Sequence, residues 1–388
     1  MTRIGIDATS LSLNGKGVSI YQYNLIKHLA NQDKDTEYFI FLNARNKIPN
    51  LPNSSNFRYI KIKAVTTLFM EQLHIPWQIE HYNIDLLHTN TDRLPLISNL
   101  ISVIYLFEIP DYRINKARKK YGLYKRITDK VTHKVFPISL NKAGFIITCS
   151  KNTKMDLTTK YGTNPRKIET IHMAPSEAFK PNISLKERQG VLQKYNSPYG
   201  YILHLASDDL RDNTATVFRA YSRAIKLAQI KQKLIVVGNV ENIKQKLLNL
   251  ADSFGISNRV IFTGYISQHT NQQELVSLYS NADAYVDATL YEGFGLQVIE
   301  SMACGTPVIV SNTTSLPEVV GDSGILVNPI DYKGFANALI DVLKNSQKHK
   351  ELSEKAMERA KYFTWQENVK KTIKIWKKVL ASSQERLC

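Results

Sequence analysis

Two carboxylates at fixed spacing carry the strongest chemical signal in this chain. Glu292 and Glu300 stand eight apart in Tyr291-Glu292-Gly293-Phe294-Gly295-Leu296-Gln297-Val298-Ile299-Glu300. The apolar run AYVDATL leads in and SMACGTPVIVS follows, which reads as strand, Gly turn, helix, small-residue turn and strand. The Gly-Phe-Gly turn puts bare backbone N–H groups at a helix N-terminus, where unpaired donors and the helix dipole attract phosphate. Carboxylates accept hydrogen bonds from sugar hydroxyls. A phosphate seat flanked by two hydroxyl acceptors suits a nucleotide sugar. Two Glu at this spacing alone would mean only two solvated charges, and the strand-turn-helix setting is what gives them weight.

The elements that must position these residues alternate along the chain. Apolar runs at 3–8, 37–43, 58–65, 85–90, 101–107, 143–150 and 168–174 predict seven strands of a first domain. Runs at 199–207, 233–239, 259–265, 283–289, 307–311 and 324–328 predict six more in a second. Longer amphipathic stretches lie between them, such as 18–32, 151–162, 213–229 and 272–282, and the tail from 331 reads as helical. Ser150 is a good N-cap for 151–162 and Gly162 a good stop. Strand and helix in alternation imply parallel α/β domains. The polar, Pro-bearing stretch 175–198 marks the boundary, giving domains 1–185 and 186–365. Two doubly wound Rossmann-like domains would face each other across a cleft, with strand C-termini and their loops pointing into it.

Composition bounds the rest. The 388 residues suit two domains, and 43% hydrophobic with 22% charged content argues for packed cores rather than disorder. The N-terminus begins as a strand, without the basic and apolar regions of a cleavable signal. The apolar stretch 94–110 holds Pro95, Asn99 and Glu108 and reads as a loop and buried strand rather than a membrane span. Cys149, Cys304 and Cys388 have neither disulfide-framework nor zinc spacing, which fits a reducing cytoplasm; Cys304 reads as a small packed residue at a helix end. The net charge of +17 is uneven: residues 1–190 hold 28 Lys/Arg against 15 Asp/Glu, and 191–388 hold 23 against 19. The densest stretch, 113–134, has nine Lys/Arg and one Asp. It suits an anionic membrane surface, or else is a solvated cationic face. No nucleic-acid module accompanies it.

The order of motifs resembles the family-4 retaining glycosyltransferases of GT-B fold along nearly the whole chain. The resemblance rests on the IDA strand, Gly15-Lys16-Gly17, TCSKNTKMDL, the GNV and FTGYIS turns, the E-x7-E unit, and ACGTPVIVS with LPEVVGDSGILVNP. It implies transfer of a sugar from a nucleotide diphosphate sugar to a hydroxyl, with retention and no metal or other cofactor. It gives Glu292 an approach to the transferred sugar and Glu300 the ribose hydroxyls. Gly293, Phe294, Gly295 and Leu296 would offer backbone donors to sugar and diphosphate. Gly264, Tyr265 and Ile266 would flank the base, with Gly238 and Asn239 lining the nucleotide pocket. The cleft loop Gly15-Lys16-Gly17 would lie beside donor and acceptor, with Lys16 near a phosphate; without the resemblance it is an ordinary βα turn. The C-terminal helix, about 366–388, would return to the first domain. UDP, GDP and dTDP donors all remain open. The acceptor would be a glycan or lipid-linked glycan of surface polysaccharide or lipopolysaccharide assembly, met in the cytoplasm or at the inner leaflet.

Three departures stand out. The family's diphosphate-cradling Arg and Lys positions hold Ala206 and Asp212, leaving Arg211 as the cation of that loop. The family's His-Asp at a strand end is replaced by Phe107-Glu108. Glu108 either assists acceptor and sugar or is a surface acid balancing the basic stretch. Asp33-Lys34-Asp35 and Asp208-Asp209 lack the form of an Asp-x-Asp metal motif. Glu318 reads as structural and His88 as a satisfied core histidine. The rival function is a non-catalytic GT-B protein that binds a nucleotide sugar or a partner; a second is a hydrolase or a transferase acting on a soluble small molecule.

Overall fold

In the computed structural model, residues 1–63, 66–96, 100–111, 123–182 and 184–384 are described. The chain forms two compact units: Met1–Met173 with Thr364–Cys388, and Ala174–Phe363.

The first unit carries a seven-stranded sheet: β1 Arg3–Asp7, β2 Glu37–Asn43, β3 Phe57–Ile62, β4 Leu86–Thr89, β5 Ile101–Leu106, β6 Phe145–Thr148 and β7 Ile168–Thr170. Its order is β3-β2-β1-β4-β5-β6-β7, and every pairing is parallel. The strands are short apolar runs because both faces are covered, as parallel sheets require. The stretch 94–110 indeed holds a buried strand, β5. Ser150 caps the helix Lys151–Tyr161 through Thr153 N–H, and Gly162 ends it at φ 62°. Such a cap is worth about 1 kcal/mol.

The last helix, Trp365–Gln384, belongs to this first unit. Trp365, Val369, Thr372, Ile375 and Trp376 are its buried stripe, at the i, i+4, i+7 spacing of one helix face. Trp376 Nε1 donates to His88 Nδ1 at 3.2 Å, and His88 Nε2 lies 3.0 Å from the Tyr21 hydroxyl. Nδ1 is therefore the acceptor, and the ring proton sits on Nε2. Burial holds the His88 pKa down at about 3. His88 is a core residue with both nitrogens satisfied.

The second unit carries β8 Tyr201–Leu205, β9 Lys233–Val237, β10 Val260–Gly264, β11 Ala284–Asp287, β12 Val308–Ser311 and β13 Ile325–Val327. They form one parallel sheet in the order β10-β9-β8-β11-β12-β13. Its core packs Ile202, Leu234 and Val286 against Phe218, Tyr221, Phe335 and Leu339 from flanking helices. Residues 174–182 pack here, whereas composition drew the boundary at 185. Asn182 N–H donates to Ser280 Oγ, Gln272 Nε2 to Ser176 Oγ, and the Phe179 ring meets Tyr279 edge-on at 5.8 Å. These ties come from residues about a hundred positions downstream, so local polarity did not reveal them.

Of the basic stretch 113–134, residues 113–122 lie outside the described residues. The remainder opens the helix Leu123–Lys142. Among the described residues no helix is long and apolar enough to cross a membrane.

Candidate active site

In each sheet the strand order reverses beside one strand, β1 in the first and β8 in the second. Ligands of open α/β sheets bind outside the strand C-termini at such a switch point. In the second unit the expected donor residues gather there.

Glu292 lies in the loop after β11, which is pinned from both neighbouring strands. On the β8 side, Leu290 N–H and Thr289 Oγ1 donate to the Arg211 carbonyl at 2.8 and 3.1 Å. On the β12 side, Glu292 N–H donates to Thr314 Oγ1 at 3.1 Å, and Ser315 Oγ donates to the Glu292 carbonyl at 2.8 Å. The Glu292 side chain is half-buried. Gly293, Phe294, Gly295 and Leu296 are buried, with the Phe294 ring 5.8 Å from that of Phe363. Gly295 is the N-cap of the helix Leu296–Ala303 at φ 94°, and a Cβ there would meet Leu316 Cδ2 at 2.5 Å. Only glycine fits this turn. Val298 and Ile299 N–H both reach the Gly295 carbonyl, so Leu296 and Gln297 supply the helix's leading donors.

Glu300, one turn further on, is fully buried. Gln268 Nε2 donates to its Oε1 at 2.5 Å and the Tyr279 hydroxyl to its Oε2 at 3.3 Å. Burial pushes its pKa up to about 8, against those two hydrogen bonds, which favour the ionised form. The Cys304 thiol at the end of the same helix is pushed up to about 12 by burial. Cys304 is buried and in no disulfide, packed at the helix end as the sequence suggested.

The turns expected to flank the base follow neighbouring strands of the same sheet. Gly238 N–H donates to the Gly264 carbonyl at 2.9 Å, and Ala206 N–H to the Val237 carbonyl at 2.9 Å, so the ends of β8, β9 and β10 are stitched in a row. Gly238 has φ 137°, and a Cβ there would lie 1.8 Å from the Ala206 carbonyl oxygen. Gly264 has φ 80°. Tyr265 is partly open, and burial of its ring together with the Glu300 charge raises its phenol pKa. Ile266 is buried and Asn239 exposed.

Arg211 is not a bare cation. Its Nε and Nη2 both engage Asp209 Oδ2, at 2.9 and 2.8 Å. Asp212, at the family's Lys position, is half-buried and accepts from Ser207 Oγ at 2.7 Å. Sequence reasoning missed Asp287 at the end of β11. Burial, then the Asp212 charge, lifts its carboxyl to about 7. Thr289 N–H donates to Asp287 Oδ1 at 3.0 Å and the Tyr285 hydroxyl to Oδ2 at 3.4 Å. Its signal was an acid at the C-terminal end of a central strand. Gln268 and Tyr279 were also missed, since neither has a local motif. Glu318 contributes a backbone carbonyl to Arg359 Nη2 at 2.7 Å.

The first-unit residues sit at strand ends of their own sheet. The loop Gly15-Lys16-Gly17 opens the helix Gly17–Gln32, with Lys16 exposed at its N-cap. Gly15 packs so closely on Ser19 that a Cβ would meet Ser19 Cβ at 2.1 Å. Ser19 Oγ in turn ties back to the Ser12 backbone. Glu108 follows β5 and is half-buried. The neighbouring Phe107 carbonyl accepts from Cys149 Sγ and Thr153 Oγ1, at 2.9 and 3.1 Å. Among the described residues no group of three or more His, Cys, Asp or Glu is placed to hold a metal ion.

Two doubly wound parallel sheets, one of them carrying a glycine turn at a helix N-terminus and a buried acid one turn later, define a two-domain α/β protein of GT-B type. The chain matches the model for glycosyl transferases group 1 over residues 193–359 and the model for glycosyltransferase family 4 over residues 15–174. It belongs to the family-4 glycosyltransferases, a retaining family with the GT-B fold that uses nucleotide-sugar donors. It is 26% identical over 380 residues to O-antigen chain mannosyltransferase B of Escherichia coli, covering 93% of this chain and 96% of that one. It is 31% identical over 222 residues to the serotype-specific mannosyltransferase WbdA of Escherichia coli, but spans only 27% of that longer protein and 56% of itself. A sucrose-phosphate synthase from Thermosynechococcus elongatus superposes with a TM-score of 0.77 at 19% identity, over 98% of this chain and 100% of that one. Membership of this family favours the enzyme over the non-catalytic scaffold.

Proposed function

We propose that this enzyme transfers a mannosyl group, with retention, from a nucleoside diphosphate sugar to a hydroxyl of a glycan or lipid-linked glycan in surface polysaccharide assembly, at the cytoplasmic face of the membrane. The observation that carries the donor reading is Glu300. A carboxylate has about four lone-pair positions. Among the described contacts two donors, Gln268 and Tyr279, serve this one, no cation offsets its burial, and its pKa is correspondingly high. A ribose diol adds two donors to a group that lacks them, and the adjacent helix N-terminus suits the diphosphate. The mannosyl reading draws on the names of the Escherichia coli relatives.

In this reading Glu292 approaches the transferred sugar and catalysis rests on positioning and charge stabilisation. Front-face attack lets the departing phosphate take the acceptor proton. The test is a thermal-shift series with UDP, GDP and dTDP and their sugar conjugates, with and without EDTA, followed by turnover of mannosyl donors. A selective rise in melting temperature with one nucleotide supports the reading. Indifference to all of them, or turnover only of a non-mannosyl donor, overturns its donor or its sugar.

A further inference from the structure

In the first unit an apolar groove of about 430 Å³ runs between the segment 66–73 and the helix Leu123–Lys142. Leu68, Phe69, Leu73, Leu96, Val131 and Val135 line it. Part of one wall is a π-helical run, Met70–His74, closed by Ile75 N–H on the Met70 carbonyl. Such runs are rare and cluster at functional sites.

The polar groups at its border are engaged with the protein itself. Gln72 donates to the Leu94 carbonyl at 3.1 Å and accepts from Leu96 N–H at 3.0 Å. Thr66 Oγ1 accepts from Phe69 N–H at 3.1 Å. Arg93 pairs with both oxygens of Glu71, at 2.7 and 2.9 Å. Lys142 Nζ holds the Pro95 and Leu96 carbonyls. What the groove offers a ligand is therefore hydrocarbon.

Its surroundings are open and cationic. Phe69, Leu73, Leu96, Ile127 and Ile138 are 44–51% exposed. On the helix, Ile127, Val131, Val135 and Ile138 recur at i, i+4, i+8 and i+11, one continuous stripe. Arg126, Lys130 and Lys134 are exposed and recur every four residues directly beside it. An apolar stripe with a basic rail is the pattern of a helix lying in the plane of an anionic lipid surface. A solvated charged face has no need of exposed Ile and Phe, and a large exposed apolar patch marks an interaction site.

We infer that this face docks on an anionic lipid bilayer, the groove receiving one hydrocarbon chain of the leaflet while Arg126, Lys130 and Lys134 meet headgroup phosphates. The inference deepens the reading of a lipid-linked acceptor and rests on it. It locates the contact on residues 66–73, 96 and 126–138.

The test is co-sedimentation of the full chain with vesicles of phosphatidylcholine, alone or with about one third phosphatidylglycerol. The wild type is expected to bind the anionic vesicles, and high salt to weaken that binding. The Leu73→Asn/Leu96→Asn variant is expected to bind them about tenfold more weakly, and Lys130→Glu/Lys134→Glu to lose the preference for anionic lipid. Both should keep the wild-type melting temperature and nucleotide response. Absence of wild-type binding, or unchanged binding by both variants, overturns the proposal. So does a dimer that Leu73→Asn/Leu96→Asn splits while vesicle binding persists, which would make the face a contact between copies. Donor turnover on a water-soluble acceptor is read in parallel. Its loss in the wild type would defeat the transferase reading without touching the vesicle result.

Discussion

The Gln268 side-chain amide donates to Glu300 Oε1 at 2.5 Å, a half-buried residue serving a fully buried carboxylate. The segment after Gly264 thereby controls how the acid of the Leu296–Ala303 helix is met.

A pH dependence follows. The folded pKa of Glu300, about 8, lies above its ordinary value of 4.5. The folded state thus binds the extra proton, and this group's contribution makes stability fall as pH rises from about 4.5 to about 8. Asp287, raised to about 7 from 3.8, acts in the same direction over a lower window. Glu300→Gln should remove the Glu300 part, gaining on the wild type by a few kcal/mol across that window. Urea titrations of both proteins at several pH values check this. A constant difference would contradict the buried-acid description. Nucleotide binding should release a proton near pH 7, seen as a buffer-dependent enthalpy in calorimetry, because ribose donors favour the ionised form.

Arg211 and Asp209 form an ion pair at 2.8 Å in the loop after β8. If Arg211 is to neutralise a diphosphate, Asp209 competes for it. Asp209→Asn should then tighten nucleoside diphosphate binding by about threefold to tenfold, an effect of about 1 kcal/mol. Equal affinity would take Arg211 out of the donor site and leave the helix N-terminus as the main partner of the phosphates.

Glu292 is held through its backbone by Thr314 and Ser315, and these two ties survive loss of its side chain. Glu292→Ala is expected to keep the melting temperature and lower kcat by about a hundredfold or more. Wild-type turnover in this variant would remove Glu292 from the chemistry.

Gly238→Ala is a structural test of the nucleotide side. The methyl group would sit 1.8 Å from a backbone carbonyl oxygen at φ 137°, so β8 and β9 must part. A loss of roughly 2–4 kcal/mol is expected, with nucleotide response lost first. A denaturation midpoint equal to wild type would refute the close approach.

Trp376→Phe would leave His88 Nδ1 buried without its donor, at a cost of about 1–3 kcal/mol. His88 is neutral in the folded state, with its pKa lowered to about 3 from 6.5. Its contribution to stability is present above about 6.5 and lost as pH falls from there toward 3. Replacing His88 by Asn should therefore flatten the acid limb of the stability curve, measured by chemical denaturation between those values.

Much of the fold was legible from short windows. The seven and six strands lie at the apolar runs, Ser150 and Gly162 bound their helix, and the glycine turn before Leu296 is where local sequence put it. Edges were less legible: the run expected over 143–150 ends as a strand at Thr148, because Ser150 already serves as the cap of the next helix. The π-helical run at 70–74 has no distinct composition and was not foreseen.

What the sequence by itself determined was the order of strands and helices, the turns that only glycine can make, and the spacing of Glu292 and Glu300. These depend on backbone sterics and periodicity over a few residues. Only the tertiary structure decided what surrounds the acids: Gln268 and Tyr279 on Glu300, and Asp212 beside Asp287. It also decided that Trp376 reaches His88 across 288 positions of chain. Desolvation and hydrogen-bond partners come from groups far apart in sequence, and they exist only once the sheets have brought strand ends together.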